Sequence, residues 1–172
     1  TGFKGSWLSC ILKEFGAQVI GYSLEPASQK NLFVTADIEK VIDYNYYQDI
    51  RDEEQLNKVF HKHEPEIVFH LAAQALVVNS YNNPKITFES NVLGSVNILE
   101  AVRNSQSVKS LVYVTSDKCY SNKEWIWGYR ENDELGGHDP YSASKAAAEI
   151  VFQSYLKSYF EDDNSTSMAS VR

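Results

Sequence analysis

Apolar and polar positions alternate along the chain between short β-branched runs and longer stretches with helical spacing. Ala17-Gln18-Val19-Ile20-Gly21-Tyr22 reads as a strand, as do Val41 to Tyr47 and Glu66-Ile67-Val68-Phe69-His70-Leu71. Ser110-Leu111-Val112-Tyr113-Val114-Thr115 is a nearly continuous apolar run, the pattern of a strand buried on both faces. A last strand is expected from Met168 to Arg172. Helical patterns fill the intervals. One runs from Gly5 to Phe15. A second runs from Asp52 to His63, with an acidic N-cap and two glutamates in its first turn. From Pro84 to Asn104, Phe88, Val92, Ser95, Leu99 and Val102 recur at spacings of three and four and form one inward stripe. Asp139-Pro140 opens a long helix with Pro in the first turn. Strand-helix alternation of this kind predicts an α/β fold with a doubly wound parallel sheet, residues 1–172 forming one domain.

Composition narrows the class. A formal net charge of -7 argues against a nucleic-acid or anionic-membrane footprint. No run of about 20 apolar residues is present to span a bilayer, and no secretory leader opens the chain. Cys10 and Cys119 lie far apart without a CxxC pair and read as free thiols of a cytoplasmic protein. No metal site is expected, because His61 and His63 stand two apart and face different sides of a helix.

Thr1-Gly2-Phe3-Lys4-Gly5-Ser6-Trp7-Leu8 has the form of the tail of a glycine-rich dinucleotide loop. Gly2 would let backbone approach a pyrophosphate, and Gly5 would let the next helix pack closely on its strand. Phe3 and Lys4 then belong to the helix N-terminus that faces the phosphates. On this reading the first, central strand of a Rossmann-type sheet precedes Thr1. At the end of the following strand stands Ser23, with Glu25 two residues on, where an acidic residue would hold an NAD ribose. No Arg stands beside Ser23 to take a 2′-phosphate, so NAD is preferred and NADP stays open. Asp49 and Ile50, at another strand end, suit the amino group and ring of adenine, while Asp52 caps a helix. Leu71-Ala72-Ala73-Gln74 leaves a strand with small side chains that admit a cofactor to the backbone. Asn91 is a candidate to fix that loop, or a catalytic water.

The catalytic candidates lie further on. Tyr141 and Lys145 are four apart on the helix opened by Pro140, which puts phenol and ammonium on one face. A neighbouring cation favours phenolate, so Tyr141 can take a proton from a hydroxyl as hydride leaves its carbon. Lys145 would also hold the nicotinamide ribose. Thr115-Ser116-Asp117-Lys118 follows the clearest strand, at the end where ligands sit in open α/β sheets. Ser116 can bond the same reacting oxygen as Tyr141. Trp125 and Trp127 have three readings: stacking on a base, lining an interface, or packing beneath their loop.

In that order, these motifs resemble the extended short-chain dehydrogenases/reductases. Within them, the opening octapeptide, Gly21-Tyr22-Ser23-Leu24-Glu25-Pro26, Thr115-Ser116-Asp117-Lys118-Cys119-Tyr120 and Glu124-Trp125-Ile126-Trp127-Gly128-Tyr129-Arg130-Glu131 resemble the CDP-glucose 4,6-dehydratases. The resemblance implies a tightly held NAD, a homo-oligomer when full length, and CDP-glucose as a nucleotide-sugar substrate for deoxysugar synthesis. It further implies that a substrate domain follows Arg172. Carried onto this chain, it makes Ser116, Tyr141 and Lys145 the group that oxidises C4 of the hexose. Thr115 joins the cofactor-binding set. Asp117 becomes the acid at the C6 hydroxyl, and Lys118 the base at C5 or an enolate stabiliser. Ala75-Leu76-Val77-Val78 departs from the usual Pro-Leu-Val-Arg and lacks its basic residue. The rival readings are a 4-epimerase or reductase of the same fold, and a non-catalytic NAD-sensing module.

Overall fold

The computed structural model describes residues 1–161 and 166–172. The chain divides into two compact units, Thr1–Ile50 and Arg51–Arg172.

The first unit begins with α1 (Phe3–Glu14), which takes Gly2 as its N-cap in extended backbone. The helix therefore starts two residues before the expected Gly5. Strands β1 (Ile20–Ser23) and β2 (Tyr44–Tyr47) pair in parallel, Ile20 opposite Tyr44 and Ser23 opposite Tyr47. Gly21 lies close to the Asn45 side chain, and a Cβ there would sit 2.8 Å from Asn45 Oδ1, so Asn45 would have to move aside. The core of this unit is Val19, Phe33, Ile38 and Ile42, with Cys10, Leu12 and Ala17 packed against it.

Both strands are shorter than their apolar runs. Val41 and Ile42 were expected in β2 but complete a 3-10 turn (Ile38–Lys40) entered through Asp37 in left-handed conformation. Asp43 then turns aside, accepting from Val19 N at 2.7 Å and pairing with Lys13 at 2.9 Å. That pairing holds Asp43 below the usual carboxylate range through the Lys13 and Val19 hydrogen bonds. A short helix, α2 (Leu32–Thr35), capped by Asn31, was also not foreseen.

The second unit carries a three-stranded parallel sheet in the order β3 (Ile67–His70), β4 (Ser110–Val114), β5 (Ser167–Val171). His70 stands opposite Tyr113 and Tyr113 opposite Ser170. One face holds the buried Val68, His70, Leu111 and Tyr113. On it lies α7 (Pro140–Tyr155), whose Phe152 ring is 5.0 Å from that of Tyr113. On the other face Val112 and Val114 are half-buried, so β4 is fully sealed on one side and not on both as expected. Burying Leu111 and Phe152 contributes about 1.5–3 kcal/mol each.

Helix α3 (Glu53–His63) is as its sequence foretold, with Asp52 accepting from Gln55 N. The stretch expected as one helix from Pro84 is interrupted. It comprises α5 (Pro84–Phe88), a π turn (Glu89–Leu93) and α6 (Gly94–Arg103), preceded by α4 (Val77–Asn82). A π turn takes up extra residues and rotates everything before it relative to everything after. Hence the inward stripe is Thr87, Asn91, Ser95, Leu99 and Val102, while Phe88, expected inside, is exposed. Among the described residues no helix is long and apolar enough to cross a membrane.

Candidate active site

The C-terminal ends of β3 and β4 release two segments that lie against α7 and its neighbours. A side-chain cap and a first-turn proline fix where helix α7 begins. Asp139 accepts from both Ser142 N (2.9 Å) and Ser142 Oγ (2.6 Å), and Pro140 supplies the first-turn φ. Gly137 approaches this first turn so closely that a Cβ would fall 2.4 Å from Ser142 Cβ. Only glycine fits, and the Gly136-Gly137 pair was the unread signal. On α7, Tyr141 and Lys145 are both buried, at 8% and 6% exposure, one turn apart as predicted.

Between them sits Ser144, fully buried, which the sequence reading did not single out. Its hydroxyl donates to Tyr141 O at 2.7 Å and accepts from Asn91 Nδ2 at 2.8 Å. Asn91 also brackets the backbone of Gln74, accepting from its N–H at 2.8 Å and donating to its carbonyl at 3.0 Å. Of its two anticipated roles, Asn91 therefore performs the fixing of the strand-end loop. The Gln74 side chain donates to Thr87 Oγ1 at 3.0 Å and accepts from Leu76 N at 2.7 Å. Leu71, Ala72 and Ala73 precede it, half-buried. The π turn is what aims Asn91 at both partners.

The turn after β4 packs along α7 through Cys119 and Tyr120 against Ala146. Ser116 caps a 3-10 turn (Asp117–Cys119), accepting from Lys118 N at 3.2 Å and donating to Asp117 Oδ1 at 3.0 Å. Asp117 and Lys118 are exposed and Ser116 is half-buried. Thr115, assigned to the cofactor, instead turns its hydroxyl inward to Glu149 of α7. Burial and the charge of Glu149 push the Cys119 thiol up to about 11, so it stays protonated. Beneath the sheet end, His70 bonds Ser95 Oγ at 3.1 Å, and burial, reinforced by the Lys145 charge, pushes its pKa down to about 3. His70 is a neutral core histidine.

The loop that follows is aromatic. Tyr129 stacks on Tyr120 at 5.1 Å, and Trp125 packs against Tyr129 and Trp127 at 5.3 and 5.4 Å. Trp125 thus packs within its loop, whereas Trp127 is 60% and Ile126 97% exposed.

In the first unit, the candidates for the dinucleotide gather at one end of β1. The Thr1 backbone N lies 3.3 Å from Ser23 Oγ, and Thr1 Oγ1 donates to Leu24 O at 2.9 Å. Gly2 leads into the exposed Phe3 and Lys4. Nothing lies within 4 Å of a Cβ built at Gly2 or at Gly5. Helix α1 turns Ser6, Cys10 and Leu12 inward. At the end of β2, Asp49 O accepts from Tyr22 Oη at 3.0 Å and Ile50 is buried. Among the described residues no group of three or more His, Cys, Asp or Glu side chains gathers as metal ligands would.

Parallel strands joined by helices, with polar turns leaving their C-terminal ends, define a Rossmann-type α/β protein of the extended short-chain dehydrogenase/reductase kind. The family described as GDP-mannose 4,6 dehydratase matches residues 1–166, and the chain belongs to that family. It is 47% identical to a CDP-glucose 4,6-dehydratase of Salmonella typhimurium, over all of this chain and 49% of that protein. It is 35% identical to a dTDP-D-glucose 4,6-dehydratase of Dictyostelium discoideum, over 92% of this chain and 39% of the other. Among solved structures it is similar to a Thermus thermophilus UDP-glucose 4-epimerase in complex with NAD, with a TM-score of 0.80 and 30% identity. That likeness covers 99% of this chain and 51% of the epimerase. The chain spans about half or less of the length of these relatives.

Proposed function

We propose that this chain carries the cofactor-binding and catalytic residues of a nucleotide-sugar 4,6-dehydratase that uses NAD and acts on CDP-glucose. The observation that carries the reading is the buried pair Tyr141 and Lys145, held to the strand-end loop through Ser144, Asn91 and Gln74. A burial so costly for a lysine is spent on polar side chains that pack no better than apolar ones would. The 47% identity to a CDP-glucose 4,6-dehydratase supports the substrate.

The residues fit a dinucleotide. Gly2 opens a 12-residue helix with no side-chain hydrogen bond capping its N-terminus, and Ser23 stands close to Thr1 as a ribose partner. Phe3, Lys4 and Gly5 would border the pyrophosphate, Asp49 and Ile50 the adenine. Leu71, Ala72 and Ala73 would border the nicotinamide half, with Asn91 fixing the loop. NAD supplies a hydride acceptor that later returns the hydride to the sugar.

Tyr141 takes the proton of the C4 hydroxyl while Ser116 bonds the same oxygen and Lys145 would hold the nicotinamide ribose. The C4 ketone acidifies the C5 proton. Lys118 removes that proton or stabilises the enolate, and Asp117 protonates the departing C6 hydroxyl, so water leaves across C5 and C6. The exposure of Asp117 and Lys118 leaves both accessible to a sugar. The likeness to a UDP-glucose 4-epimerase supports a second reading, epimerisation at C4, which has no use for an acid at C6. The free thiols Cys10 and Cys119 suit a reducing cytoplasm. Exposed Leu93 and Ile150 offer apolar surface for a homo-oligomer.

Incubating the full-length protein with CDP-glucose and NAD in deuterated water tests this. The expected product is the 4-keto-6-deoxy sugar with deuterium at C5. A C4 epimer without deuterium at C5 would refute the dehydratase.

A further inference from the structure

Glu149 is completely buried on α7, one turn beyond Lys145 and two beyond Tyr141. A buried carboxylate costs several kcal/mol unless it is paired and hydrogen-bonded. Glu149 has the full set of partners. Thr115 Oγ1 donates to Oε1, Ser170 Oγ donates to Oε2 at 3.1 Å, and the Arg172 guanidinium bonds Oε2 at 2.8 Å. The Arg172 side chain is itself only 16% exposed. It also donates to Tyr120 Oη and lies 5.1 Å from the centre of that ring.

The placement of these partners is informative. Thr115 immediately precedes Ser116-Asp117-Lys118-Cys119, and Tyr120 immediately follows it. One carboxylate on the Tyr141–Lys145 helix thus grips the segment at both ends, directly at Thr115 and through Arg172 at Tyr120. The two Ser116 hydroxyl contacts, to Asp117 and Lys118, are local and cannot set its position relative to α7. An apolar side chain at 149 would fill the same space without directing either end. A misplacement of about 1 Å at a reacting group costs about 10²-fold in rate.

We infer that Glu149, acting with Arg172, is the positioning residue that sets the Ser116-Asp117-Lys118 turn in register with Tyr141 and Lys145. Its catalytic consequence rests on the dehydratase reading; its grip on the turn does not. The full-length protein with Glu149→Gln provides the test. Turnover is expected to fall about 10²-fold per folded site, with the KM for CDP-glucose and the NAD content within about twofold of wild type. In parallel, Cys119, fully buried in the gripped turn, should react with iodoacetamide about tenfold faster in the native protein, read by peptide mass. A role in stability alone would lower the melting temperature and leave turnover per folded site intact.

Unchanged Cys119 labelling in a folded Glu149→Gln protein overturns the inference, as does faster labelling with undiminished turnover. Should Glu149→Gln not fold, Thr115→Val removes a single grip while keeping the side chain's shape, and the same two readouts decide with smaller changes. A wild-type protein inert toward CDP-glucose would defeat the dehydratase reading, and the Cys119 labelling would then decide the grip by itself.

Discussion

In the unit Arg51–Arg172, the candidate chemistry rests on buried side chains tied to one another: Asn91 to Gln74 and Ser144, Ser144 to Tyr141, Glu149 to Thr115 and Arg172. In the unit Thr1–Ile50, the candidates are of another kind. Gly2 offers backbone and no side chain, Lys4 is exposed, and Ser23 is half-buried. The difference follows from what each set is asked to do. A proton must be transferred at one atom, so phenol, ammonium and hydroxyl need over-determined positions. A diphosphate is held by N–H groups at a helix start, which need clearance rather than bracing. Substitutions should accordingly damage rate and stability together in the second unit, and binding alone in the first.

The largest effect is expected at the reacting group. Tyr141→Phe should lower turnover of the full-length enzyme by at least about 10³-fold while its NAD content, measured after denaturation, stays unchanged. Retained turnover would remove the second unit's side of the contrast. Next comes the bracket. Asn91→Leu leaves the Gln74 backbone groups and Ser144 with unmet hydrogen bonds, so urea unfolding should show a loss of about 2–4 kcal/mol, with reduced turnover.

His70 gives a pH-dependent version of the same contrast. Its folded pKa of about 3 lies below the ordinary value of 6.5, so the unfolded chain binds the extra proton between those limits. The contribution is complete above pH 6.5 and is lost as pH falls toward 3, with a slope of at most about 1.4 kcal/mol per pH unit. His70→Gln should flatten stability between about pH 4.5 and 6.5, where the carboxylates are still ionised. The smallest stability effect belongs to the first unit. Gly2→Ala meets nothing within 4 Å at an ordinary φ of -77°, so unfolding should change by less than about 0.5 kcal/mol while bound NAD falls. A large loss of stability there would erase the distinction.

What the sequence disclosed divides along physical lines. Signals confined to a few neighbouring residues were legible: Asp52 with its two glutamates, Asp139-Pro140, and the apolar run from Ser110. So was the Tyr141–Lys145 spacing, because helical periodicity fixes it. The π turn at Glu89–Leu93 was not legible. Its extra residues leave no compositional mark, and the heptad-like stripe consequently placed Phe88 inside and passed over Thr87. Glu149 escaped notice because a glutamate in mid-helix ordinarily faces water. Its partners Thr115, Ser170 and Arg172 are brought to it only by the parallel alignment of β4 and β5 beneath α7. Ser144 and Asn91 lie 53 residues apart and meet for the same kind of reason.

Oxidation at C4 requires Ser116 and Tyr141 to meet on one sugar oxygen while Lys145 holds the nicotinamide ribose. The most direct measurement is a crystal structure of the full-length protein with NAD and CDP-xylose, a pentose analogue that has no C6 hydroxyl to eliminate. Tyr141 Oη and Ser116 Oγ are both expected about 2.7 Å from the sugar C4 oxygen, with Lys145 Nζ on the nicotinamide ribose. A C4 oxygen held by neither hydroxyl, with the sugar bound away from the end of β4, would contradict this geometry.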